Sequence, residues 1–100
     1  MLYELFTLVD NAYDLAFLSI NDKHNKDTFP KAQQLELKIN QLRADLIQTL
    51  MERINGNEIS FESGLVYKDV ISAMEKIGDY IFNIQESILN TNQTSYIIEY

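Results

Sequence analysis

Leu65-Val-Tyr-Lys-Asp-Val-Ile-Ser-Ala-Met-Glu-Lys-Ile-Gly-Asp-Tyr-Ile-Phe-Asn-Ile-Gln-Glu86 keeps apolar residues at helical spacing for about six turns, broken only by one glycine. Val66, Val70, Ala73, Ile77, Ile81, Ile84 and, just beyond, Ile88 mark the face expected to meet a core. Ser60 precedes the run as a candidate N-cap, so a helix is predicted over about 60–90. Gly78 sits inside it at a cost of up to ~1 kcal/mol relative to alanine, which marks a place where another backbone or a ligand comes close. Glu75 and Asp79 stand four residues apart, about 40° from one another around the helix and on the side away from Ile77. Two carboxylates so placed can share a cation.

Upstream, Ala32, Leu35, Ile39, Leu42, Leu46, Leu50 and Ile54 predict a second helix over about 28–54. Asp27 or Thr28 can cap it, and Pro30 falls in the first turn, where amide protons have no acceptor within the helix. Asn55-Gly56 is expected to end it, because glycine accepts the left-handed conformation found past a helix terminus. Leu2, Leu5, Phe6, Val9, Ala12, Tyr13, Ala16 and Ile20 predict a first helix over about 2–20. The polar run Asn21-Asp-Lys-His-Asn-Lys-Asp27 between them reads as a loop. After Asn90 a polar tail leads to Tyr96-Ile-Ile-Glu-Tyr100, an apolar end that needs something to pack against.

No strand pattern competes with these helices. The expectation is an all-α fold, an antiparallel up-down-up three-helix bundle occupying one domain over 1–100 and about 30–45 Å long. Phe17, Leu37, Ile47, Met51, Tyr67, Phe82 and Leu89 lie off the stripes, and they are expected to form a second seam against another bundle or a second copy.

Composition narrows the chemistry. One hundred residues, 46% hydrophobic with three glycines and one proline, suit an ordered single-core domain. Eight Lys and Arg against fifteen Asp and Glu give a net charge of −7, which repels phosphate backbones, so no nucleic-acid partner is expected. Cysteine is absent, in keeping with a reducing, cytoplasmic compartment. Neither a signal peptide nor an apolar run of the ~20 residues needed to span a bilayer is visible, so a soluble chain is expected.

Arg53-Ile-Asn-Gly56, Ser60-Phe-Glu-Ser-Gly64-Leu-Val-Tyr-Lys-Asp-Val-Ile71, Met74-Glu-Lys-Ile-Gly-Asp79 and Asn83-Ile-Gln-Glu86 together resemble a PhoU-like domain. The pattern is most similar to the cytoplasmic C-terminal part of bacterial sodium/phosphate cotransporters, where a Ser-Gly turn leads to Leu-Glu-Arg-Ile-(Gly/Ala)-Asp-His and then Asn-Ile-Ala-Glu. The resemblance is good over 53–86 and collinear back to Tyr3. It implies a three-helix repeat whose second and third helices each carry a Glu/Asp-x-x-x-Asp motif able to hold divalent or trivalent metal ions. Those motifs fall on Glu36 and Asn40 and on Glu75 and Asp79. Asn40 stands where the family has Asp and leaves three carboxylates rather than four; Lys76 replaces Arg, and Tyr80 replaces His, which removes a nitrogen ligand. The role implied is in phosphate uptake and its regulation, with a second repeat, a like copy or a membrane transporter domain as partner.

The residues by themselves are less selective. Acidic pairs four apart occur at Asp10 with Asp14 and Glu58 with Glu62 as well as at Glu75 with Asp79, so spacing alone picks out no site, and a solvated face is the plain expectation for all three. Enzymatic patterns are missing. A di-iron carboxylate bundle needs Glu-x-x-His on two helices, whereas the single histidine, His24, falls in the polar loop, where a triad could not hold it. Gly56, Gly64 and Gly78 are too far apart for a phosphate-cradling loop. The expected function is a non-enzymatic regulatory or assembly domain, with a helical self-association scaffold as the alternative.

Overall fold

The computed structural model describes residues 2–21 and 27–98, with side chains described through position 89. Three helices follow in order, α1 (Tyr3–Asn21), α2 (Thr28–Asn55) and α3 (Phe61–Ile98), each packed on the other two. The all-α antiparallel bundle is thus the observed architecture. Among the described residues there is no strand, and no helix is long and apolar enough to cross a membrane.

The stripe read for α2 is the one that faces inward. Ala32, Ile39, Leu46 and Leu50 are buried, with Leu35, Leu42 and Ile54 half-buried against them. Its C-terminus is built differently from the expectation. Gly56 has φ −84°, and the left-handed residue is Asn57, at φ 61°. Asparagine tolerates that region better than other side chains. The Gly56 amide donates to the Glu52 carbonyl at 2.9 Å and the Asn57 amide to Ile54 at 3.1 Å, so the last carbonyls of the helix are satisfied. Ser60 is the N-cap of α3 as expected, its Oγ accepting from the Ser63 amide at 3.1 Å.

The expected core face of α3 is corrected. Ile81 is buried as read, with Val70 and Ile88 half-buried, but Val66, Ala73, Ile77 and Ile84 are exposed, and the other buried positions are Gly64, Ile71, Gly78 and Gln85. The cause is how closely α2 approaches. A Cβ on Gly78 would lie 3.4 Å from Ile39 Cδ1, and one on Gly64 would lie 2.9 Å from Ile54 Cγ1. Gly64 is therefore a hollow that receives Ile54 of α2, Gly78 leaves room beside Ile39 for little more than a methyl group, and Ile71 fills the space between them. Helix contact selects the side where backbones come nearest rather than the most apolar side.

On α1, Leu5, Val9, Ala12 and Ala16 are buried as read, but Phe6, Tyr13 and Ile20 are exposed. Ser19 takes the last core position and satisfies its hydroxyl by donating to the Leu15 carbonyl at 3.0 Å. The expected second seam is likewise redrawn. Phe82 stacks on Phe29 with centroids 5.8 Å apart, Ile47 packs against the core and Leu89 is half-buried, while Phe17, Leu37, Met51 and Tyr67 remain exposed.

The molecule measures 64 × 18 × 16 Å, longer than the 30–45 Å expected. The 38 residues of α3 account for this, since they span about 57 Å. α1 has only 19 residues, and its first turn lies beside Lys38, Leu42 and Asp45, partway along α2. His24 in the first loop and the packing of Tyr96–Tyr100 lie outside the described residues and side chains.

Candidate carboxylate site between the second and third helices

Burying Ile71 rather than Ile77 turns α3 by about a quarter-turn from the expected orientation. The consequence for Glu75 and Asp79 is direct. They are half-buried beside α2 rather than on a solvated face, and Glu36 and Asn40 are half-buried opposite them. Asn40 Nδ2 donates to Glu36 Oε1 at 3.3 Å, one turn along α2, and the Glu36 carboxyl hydrogen-bonds to Asp79 across the helix seam. Of the four residues named from the resemblance, Glu36, Asn40 and Asp79 thus form one hydrogen-bonded group, and Glu75 reaches Glu36 through its charge.

The electrostatics follow from that placement. Burial pushes the Glu36 carboxyl up to about 7; the hydrogen bond and charge of Asp79 add to the rise, as does the charge of Glu75, and the Asn40 amide opposes it. Glu36 therefore holds its proton far more readily than a free carboxyl, because burial and the neighbouring carboxylates both disfavour its charged form.

The fit to a metal ion is a separate matter. Among the described residues, no three His, Cys, Asp or Glu side chains come together closely enough to hold one. The donor chemistry, three carboxylates and an amide oxygen, nonetheless suits hard oxygen-seeking cations rather than soft ones. Tyr80 is exposed and takes no part.

Two features escaped the sequence reading. Gln85 is only 3% exposed, shares a narrow crevice with Glu36, Gly78 and Phe82, and has an Nε2 with no hydrogen-bond partner. It lies seven residues beyond Gly78, as Gly78 lies seven beyond Ile71, and that spacing was the signal available. Arg43 Nε, further along the face of α2, is likewise buried without a partner. At Gly78 the neighbour is the Ile39 side chain of α2, at ordinary van der Waals distance from a Cβ placed there, rather than the backbone or ligand expected.

A family model described as PhoU domain matches residues 2–88 of the chain. No curated protein and no solved structure matches it.

Proposed function

The chain belongs to the PhoU domain family, and from that premise we propose that it is a non-enzymatic regulatory domain of phosphate homeostasis whose sensing point is the Glu36–Asp79 pair. The observation that supports this reading is the hydrogen-bonded carboxyl pair spanning α2 and α3 at the positions of the family's two motifs. A group bridging two helices biases how they pack, and regulation by a domain of this kind needs such a lever. Glu36, Asp79 and Glu75 lie too far apart to hold an ion as they stand, so a hard divalent or trivalent cation would have to draw them and the Asn40 amide oxygen together across the seam. The charge of that ion would relieve the repulsion that burial imposes on the carboxylates. A sodium/phosphate transporter on the cytoplasmic side of a membrane is the partner this role suits.

The test is thermal melting above pH 8, where Glu36 is ionised, during titration with Mg, Mn, Ni, Fe and Zn ions. A cation that binds only the folded chain raises stability by RT ln(1 + [L]/Kd), about 2.7 kcal/mol at a hundredfold excess over Kd. Asn40→Asp is expected to destabilise the metal-free protein slightly and enlarge the metal response, and Glu75→Gln/Asp79→Asn to abolish it. If neither wild type nor Asn40→Asp responds to any of these ions, cation sensing at this site is wrong.

A further inference from the structure

Ala12 of α1, Ala32 of α2 and Gly78 of α3 meet at one level of the bundle, and with residues this small on all three sides the helices do not close up completely. A narrow crevice remains between them. Its room, about 10 Å³, is that of one water molecule and of nothing larger. Two polar side chains reach it among apolar walls, Glu36 from α2 and Gln85 from α3. Gln85 is 3% exposed, and its Nε2 is enclosed without a hydrogen-bond partner. An amide left so forfeits the hydrogen bonds it makes in water, and buried polar groups of folded proteins are as a rule satisfied. Glu36 already has Asn40 and Asp79 as partners, but a carboxylate offers about four acceptor sites and has capacity to spare.

We propose that this crevice is a buried hydration site, in which one water molecule accepts a hydrogen bond from Gln85 Nε2 and donates one to the Glu36 carboxyl, joining α3 to α2. Size limits the occupant to water or a small ion, and charge decides between them. An anion would lie against Glu36, with Asp79 and Glu75 close by, and a cation would face the hydrogens of the Gln85 amide. A neutral molecule that both donates and accepts meets neither obstacle. Polarity is the remaining argument, since cavities that stay empty are apolar, whereas a water is retained where two or more polar groups hold it.

The bridge gives Glu36 two attachments to α3, one direct at Asp79 and one through the water at Gln85. α1 contributes a wall through Ala12 and no polar group. The water is expected in the metal-free protein. Its presence and cation sensing by the carboxylates are therefore tested separately.

The measurement is a crystal structure of the whole chain, grown in chelator, at a resolution that shows ordered water. A density peak is expected within ~3.2 Å of both Gln85 Nε2 and a Glu36 carboxyl oxygen. Oxygen-17 relaxation dispersion of the solvent, which counts water held longer than the protein tumbles, carries the test into solution. Gln85→Met keeps the side chain's length and removes its donor, so it is expected to lose the peak and to lower the dispersion by one water per chain. Gln41→Met, at an exposed glutamine of α2, is expected to change neither. Wild-type density with no peak there overturns the proposal, as does a Gln85 amide bonded directly to Glu36. A dispersion unchanged in Gln85→Met, or lowered equally in Gln41→Met, overturns it too. Should Gln85→Met lose its helicity, the wild-type crystal decides alone.

Discussion

Ile71 and Ile77 are the same residue type on one helix, yet Ile71 is fully buried and Ile77 is 45% exposed. Ile71→Ala is expected to leave a cavity between α2 and α3 and cost about 2–5 kcal/mol in urea denaturation. Ile77→Ala, measured at concentrations where the chain is monomeric, should cost less than ~1 kcal/mol. Equal losses would mean that the core face of α3 is misassigned. Glu36 gives a second residue-scale outcome. Its folded pKa of about 7 lies above the unfolded value of 4.5, so the folded state binds the proton more tightly, and stability is lost as pH rises from about 4.5 through 7. Glu36→Gln keeps a donor towards Asp79 and removes the titration. It is expected to flatten the pH dependence over that window and to raise stability at pH 8 by on the order of 1–2 kcal/mol, allowing for partial solvent screening. A variant with the same slope as wild type would place the titration elsewhere. The carboxyl pair was legible only as two motifs on two helices; that they touch depends on the rotation of α3, which no spacing specifies.

At the scale of elements, the helices themselves were legible and their contact faces only partly so. α2 was read correctly because its one apolar stripe, from Ala32 to Ile54, meets neighbours on both sides and has no rival. α3 has two candidate faces. The more apolar one carries Val66, Ile77 and Ile84, but the face that packs carries Gly64, Gly78 and Gln85, residues that a count of hydrophobic side chains passes over. Gly78→Ala tests this packing. Its new methyl would rest at ordinary van der Waals distance from Ile39, so the gain in helix propensity should dominate and raise stability by up to ~1 kcal/mol. Gly78→Leu should overpack the same hollow and cost about 1–3 kcal/mol. At the start of α3, Ser60→Ala removes the oxygen that accepts from the Ser63 amide and is expected to lower stability by ~1 kcal/mol in thermal melts, with Ser60→Asp restoring it.

At the scale of the whole molecule, shape and charge act together. A rod 64 Å long but only 18 × 16 Å across keeps charges on its opposite sides within a Debye length of one another at low salt, and the net charge is −7. Raising ionic strength from about 0.01 to 0.15 M shortens the Debye length from ~30 to ~8 Å, so the melting temperature is expected to rise with added sodium chloride. A melting temperature that falls with salt would show that attractive pairs outweigh the net repulsion. The unequal helix lengths, 19, 28 and 38 residues, are also a property of the whole. They leave the far ends of α2 and α3 without α1 beside them. The continuation of α3 past Asn90 was not legible, because its polar run carries no apolar stripe by which a helix is recognised.

By itself the sequence determined that the chain is helical, where its connections fall, which acids stand one turn apart, and the family to which it belongs. Those are local properties, set by backbone preferences and by spacing along one strand of chain. The tertiary structure decided which side of each helix is inside. That choice depends on how near two backbones can come, and glycines opposite isoleucines settle it by allowing closer contact than a larger apolar side chain would. The same rotation gathers Glu36, Asn40 and Asp79 and leaves the apolar stripe of Val66, Ile77 and Ile84 facing outward.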